Sequence, residues 1–162
     1  MLRRKAILLA SGTLLMALIV SFQLSRPKVP DTVIIASQVA HLVDTFNNRN
    51  PASFASVLSG DFKLNGWNKQ KVELALRRWS KEKIRVSSSR YRLAGPDNQG
   101  RYSVTCNFIA IDQDSNEVVW SGLDSVLTFQ TEPPKPWIPF VRNAWRIINM
   151  DNIQLPESNE AF

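Results

Sequence analysis

One histidine and one cysteine among 162 residues leave this chain poorly equipped for several kinds of chemistry. A zinc site would have to recruit several carboxylates, at spacings the sequence does not contain. No metal site and no cofactor is therefore expected. Cys106 has no partner for an internal disulfide, and a Cys–His pair would need His41, far away on a helix. In the alternating run Tyr102, Val104, Cys106, Phe108, Ala110 it reads as a small buried apolar residue. The six glycines form no G-x-S-x-G, no phosphate-binding loop and no dinucleotide-binding pattern. Residues 1–30 contain no acid at all.

What those first residues do contain is an uncharged run from Ala6 to Ser25, with Arg3, Arg4 and Lys5 before it and Arg26 and Lys28 after it. About 20 helical residues reach across a hydrocarbon core of about 30 Å. The heavier positive charge on the N-terminal side keeps that end in the cytoplasm. The expected layout is a cytoplasmic tail (1–5), a transmembrane signal anchor in contact with the lipid bilayer (6–25) and a linker (26–30). The rest lies outside the cytoplasm, periplasmic or extracellular, on a single-pass protein of the cell membrane. A cleaved secretory signal is the alternative. It needs small residues at −3 and −1 of a cut, whereas Ser21 and Ser25 are preceded two positions back by Ile19 and Gln23. Either reading exports the domain.

The formal charge of +6 has the same origin. Setting the five flanking cations aside leaves 15 basic and 14 acidic residues, so the exported part is near neutral and no nucleic-acid partner is expected. Within it, Lys69 to Arg92 holds nine basic residues against Glu73 and Glu82. This is either a solvated helix face with a charge-protected edge strand or a patch for anionic headgroups or a protein partner. On the second reading Arg77, Arg78 and Lys81 are the binding candidates. Trp137 joins them, in the stiff apolar segment from Pro133 to Phe140, which either contacts a partner or folds back over the domain.

Helices come first in the domain and strands second. Ile35, Val39, Leu42, Val43 and Phe46 recur at helical spacing behind Asp31. Asn50-Pro51 opens a short helix that Gly60 closes, and Asn68 caps a third with Val72, Ala75, Leu76 and Trp79 on one face. A short strand is expected at Phe62–Leu64. From Ile84 the period changes to two, with strands near 84–93, 102–111, 118–131 and 144–153 joined by polar turns. Segregated helices and an antiparallel meander define an α+β class.

The order of elements, the Gly60-Asp61-Phe62 turn, and the phrases "VVWSGLDSVLTF" and "AWRIINMDNI" give residues 31–155 a shape similar to the nuclear transport factor 2-like fold. This fold is also called SnoaL-like or ketosteroid-isomerase-like. Residues 156–162 form a tail. The resemblance implies a cone: a curved antiparallel sheet packed on three N-terminal helices, with an apolar interior and a tendency to dimerise through the sheet. The fold hosts isomerases, hydrolases, dehydratases and scaffolds, so function must come from the site.

An enzyme of this type needs an acid in the apolar cone, where desolvation tunes it. The candidates are His41, Asp61, Asp124 and Asp151. His41 shares a stripe with Gln38, Thr45 and Asn48 opposite the apolar helix face, and Asp44 stands one turn on. Asp61 also reads as a turn side chain. By strand parity Asp124 falls with Trp120, Val126 and Thr128, and Asp151 with Asn149, Trp145 and Ile147. The tyrosines, Tyr91 and Tyr102, fall outside the helical position where isomerases of this fold carry one. The expected function is a membrane-anchored extracytoplasmic binding or assembly domain without catalysis. The alternative is a small-molecule enzyme of the SnoaL or ketosteroid-isomerase type using a pocket carboxylate.

Overall fold

The computed structural model describes residues 29–79, 81–133 and 144–153. The apolar run 6–25 with its charged flanks, the segment carrying Trp137 and the tail 156–162 lie outside the described residues. Among the described residues no helix is long and apolar enough to cross a membrane.

Three helices lead the domain: α1 (Asp31–Asn47), α2 (Pro51–Val57) and α3 (Lys69–Trp79). Their starts follow local chemistry. Asn50 Oδ1 accepts from Ser53 N at 3.0 Å ahead of Pro51, and Asn68 Oδ1 accepts from Lys71 N at 2.9 Å. Each satisfies an N–H that the helix cannot. The stripe Ile35, Val39, Leu42 of α1 is buried, with Val43 and Phe46 packed beside it. The sheet comprises β1 (Leu58–Leu64), β2 (Trp67–Asn68), β3 (Ile84–Ala94), β4 (Tyr102–Asp112), β5 (Val118–Glu132) and β6 (Ala144–Asp151), in the order β2-β1-β6-β5-β4-β3.

The β3-β4-β5-β6 meander is antiparallel as expected. The first strand departs from expectation in two ways. It begins at Leu58, so α2 ends at Val57 and Gly60 lies within the strand, where it does not close a helix. It also pairs parallel with β6, so the sheet is not purely antiparallel. Asn65 and Gly66, both at positive φ, then turn β1 into β2 in a two-residue hairpin.

Three irregularities curve β5 and β6. In β4–β5, Asn107 faces both Leu123 and Asp124, and Val119 is extra beside the Ala110–Trp120 pair. In β5–β6, Ile148 is extra between the pairs made by Ile147 and Asn149. A bulge bends its strand and moves every later side chain to the other face. The inward set of β5 accordingly changes from Trp120 and Gly122 to Ser125, Leu127 and Phe129. Gly122 is needed at that bend, because a Cβ there would stand 2.6 Å from Ser125 Oγ and 3.1 Å from two ring carbons of Trp120.

The core lies between the helices and the concave face of the sheet. Val104, Cys106, Phe108 and Ala110 are all buried, confirming the alternation in β4. Trp145 is buried too. Its ring packs edge-on against Tyr102 at 5.2 Å, and its Nε1–H donates to Asp31 Oδ1 at 3.1 Å, tying the start of β6 to the start of α1.

Candidate functional site

The inner faces of these elements leave a cavity of about 200 Å³. Leu42, Val43 and Phe46 of α1 and Phe54 of α2 form one wall. Val72, Ala75, Leu76 and Trp79 of α3 form a second. The sheet contributes Phe62, Leu64, Trp67, Ile84, Val86, Phe108, Ala110, Trp120 and Met150, with Val119, Ile153 and Glu82 completing the lining. Glu82 and Val119 are exposed and mark the mouth. A smaller groove runs alongside, sharing Phe46, Trp79 and Glu82 and adding Thr45 and Arg49. Among the described residues lining the main cavity, Glu82 is the one ionisable side chain.

None of the four expected acid–base candidates lines this space. His41 is exposed on α1, and its stripe is not uniformly solvated. Thr45 is buried, with Oγ1 donating to His41 O at 2.8 Å and Leu42 O at 3.0 Å, and Gln38 is half-buried. Asp61 is exposed within β1. It is a strand residue rather than a turn residue, and its N–H donates to Ser59 Oγ at 3.1 Å. Asp124 occupies the bulge at φ 49° and is exposed. Its N–H donates to Asn107 Oδ1 at 2.9 Å and its carbonyl accepts from Asn152 Nδ2 at 3.2 Å. Asp151 is exposed and accepts from Asn149 Nδ2 at 3.0 Å. The bulge at Ile148 removes both Asn149 and Asp151 from the face of Trp145 and Ile147. Parity therefore fails only across each inserted residue: Asp124 keeps the face of Val126 and Thr128 but leaves that of Trp120, and Asp151 keeps Asn149 but leaves Trp145 and Ile147.

The basic stretch is spread over α3 and β3 and is partly engaged. Lys69 Nζ donates to Leu58 O at 2.8 Å, Arg77 pairs with Glu73 at 2.7 Å, and Lys83 pairs with Asp114 at 2.9 Å. Arg77, Arg78 and Lys81 are all exposed. β3 is indeed the edge strand, and beyond Val86 it is largely exposed on both faces. Its pairing with β4 slips between Ser89 and Arg92, where Arg90 has φ 56°, a bulge that blunts the edge along with the charges.

Glu82 is the lining residue missing from the sequence-based candidates. Its signal is periodicity: Glu82, two residues before β3 begins, is in phase with Ile84 and Val86 at the start of the strand, and all three line the cavity. Cys106 has no access to solvent, and burial pushes its thiol up to about 11, as for an inert core residue.

No protein-family model matches the sequence, and no curated protein sequence matches it significantly. Solved structures do share its architecture. A Nostoc punctiforme protein of unknown function, described as having a cystatin-like fold, superposes with TM-score 0.54 at 12% identity, covering 74% of this chain and 87% of its own. A Mycobacterium tuberculosis protein of unknown function gives TM-score 0.56 at 12% identity, covering 74% and 73%. A putative scytalone dehydratase from Novosphingobium aromaticivorans gives 0.50 at 11% identity, covering 74% and 80%. At such identities the likeness is one of fold. The chain is an α+β protein of nuclear transport factor 2-like architecture, with a curved six-stranded sheet and three helices.

Proposed function

We propose that this chain is a binding domain without catalysis of its own, anchored at the extracytoplasmic face of a cell membrane by residues 6–25. Its ligand is a small, largely apolar molecule held inside the sheet. The observation that carries this reading is the composition of the cavity wall: aromatic and aliphatic side chains, with one acid at the mouth. A general acid or base must come within hydrogen-bond reach of its substrate. His41, Asp61, Asp124 and Asp151 all point elsewhere. An apolar cavity of about 150 Å³ binds benzene, so a cavity of about 200 Å³ suits a ligand of one or two rings. Membrane anchoring draws its support from the uninterrupted run Ala6 to Ser25 and its cationic flanks.

The test is thermal unfolding of the full chain in nanodiscs with added naphthalene, a neutral two-ring probe. Ligand that binds only the folded state raises stability by about 1 kcal/mol at a few times its Kd. A saturable rise in Tm supports the reading, and an unchanged Tm at the solubility limit contradicts it. Fractionation of cells tests the anchor, since the full 18.4 kDa chain is expected with the membranes and a shortened soluble form would refute it.

A further inference from the structure

The cavity wall is specific in its chemistry as well as apolar. Three of its residues are tryptophans (Trp67, Trp79 and Trp120), and Glu82 is its acid. Glu82 lies three positions beyond Trp79, the last residue of α3, its N–H donates to Trp79 O at 2.9 Å, and both side chains line the main cavity and the side groove. Among the described residues the Glu82 carboxylate has no ion-pair partner, while the neighbouring Lys83 is engaged by Asp114 and Arg77 by Glu73. An indole face is the strongest aromatic partner for a cation, and the attraction grows as the cation is desolvated. An unpaired carboxylate at the mouth adds direct Coulomb attraction.

We infer that the cavity takes a hydrophobic organic cation: an apolar ring or short chain in the interior and an ammonium group at the mouth, beside Trp79 and Glu82. This rests on reading the cavity as a ligand site and names the ligand's class. The competing choice is an anionic amphiphile, which would gain from Arg49 and Lys81. Arg49 lines the side groove but not the main wall, and Lys81 lines neither. All three charges are exposed and screened over about 8 Å in physiological salt, so the one that lines the main wall, Glu82, acts on a bound ligand from the shortest range. The group within the wall therefore decides the sign.

Calorimetric titration of the full chain in zwitterionic nanodiscs, with empty nanodiscs subtracted, tests this with three probes of one shape. These are naphthylmethylammonium, methylnaphthalene and naphthylacetate. The cation is expected to bind about tenfold more tightly than the neutral probe, and the anion most weakly. Glu82→Gln, an exposed substitution that preserves shape, is expected to bring the cation within about twofold of the neutral probe while leaving the neutral probe unchanged. Equal binding of cation and neutral, preference for the anion, or indifference to Glu82→Gln overturns the ligand class and leaves the cavity standing. Failure of all three probes to bind overturns both.

Discussion

The side-chain amide of Asn47 makes both of its hydrogen bonds to the backbone of Val86: Nδ2 donates to Val86 O, and Val86 N donates to Asn47 Oδ1, each at 2.8 Å. Val86 lies on the edge strand, where alternate residues turn their backbone groups away from the sheet. Its side chain is buried in the cavity wall. The last residue of α1 thus supplies the pairing that a seventh strand would otherwise give, and fixes α1 against β3 beside the cavity.

Asn47→Ala leaves a half-buried N–H and C=O unpaired and should cost about 2 kcal/mol of unfolding free energy. Asn47→Asp, which still accepts but cannot donate to the carbonyl, should also destabilise. Chemical denaturation followed by tryptophan fluorescence checks both. Wild-type stability in Asn47→Ala would show that water replaces the amide without loss.

The β5 bulge makes opposite predictions for two adjoining residues. Asp124 holds φ 49°, a conformation glycine adopts more readily, and its carboxylate is exposed. Asp124→Gly should be neutral or stabilising by up to about 1 kcal/mol. Asn107 is buried and accepts the Asp124 N–H, so Asn107→Ala should cost about 1–3 kcal/mol. Comparing the two denaturation midpoints decides the matter, and a strongly destabilised Asp124→Gly would mean that the carboxylate has a role the structure does not reveal.

Cys106 should resist alkylation. With no exposed surface and a thiol pushed up to about 11, it should react with maleimide at pH 8 at least about a hundredfold more slowly in the native chain than in denaturant. Rapid native labelling would place β4 at the surface, against the structure.

Acid should loosen two turns. The Asp97 carboxyl is held below its ordinary value of 3.8, chiefly by the backbone N–H of Arg101 and then by Gln99 N–H and the Arg101 guanidinium. Asp112 is held low by the N–H groups of Ser115 and Asp114. A depressed folded pKa gives stabilisation that is complete above the unfolded value and is lost as pH falls through the folded one. The amide shifts of Gln99 and Ser115, followed by NMR, should therefore move with midpoints below 3.8. Midpoints at or above it would show that these bonds do not persist in solution.

Local order was readable from the sequence wherever one residue's chemistry decides it. Asn50 and Asn68 cap as their type and position suggest, and the stripes of α1 and β4 are buried in the expected phase. The site was less legible. The bulges at Leu123-Asp124 and Ile148 break the period-two pattern at residues that carry no distinctive signature, so parity groups Asp124 with Trp120, and Asp151 with Trp145 and Ile147, from which the bulges separate them. The parallel pairing of β1 with β6 depends on contacts between residues some ninety positions apart, which no local pattern records. Glu82 was hidden for a different reason. It lies in a run of cations and reads as one more surface charge until the alternation with Ile84 and Val86 is extended back by two residues.

The central claim is that the cone binds a small apolar body in the space bounded by Ala110, Trp79 and Trp120. Its most direct test is the affinity for naphthalene of the wild-type chain against Ala110→Leu, which places three extra carbons in that space. A true cavity should accept them with little cost in Tm, since overpacking penalties of about 1–3 kcal/mol arise only where no room exists. Ala110→Leu is predicted to melt cooperatively near the wild-type temperature and to lose naphthalene binding by at least about tenfold. Undiminished binding by a well-folded Ala110→Leu, or no saturable binding by the wild type, would contradict the account.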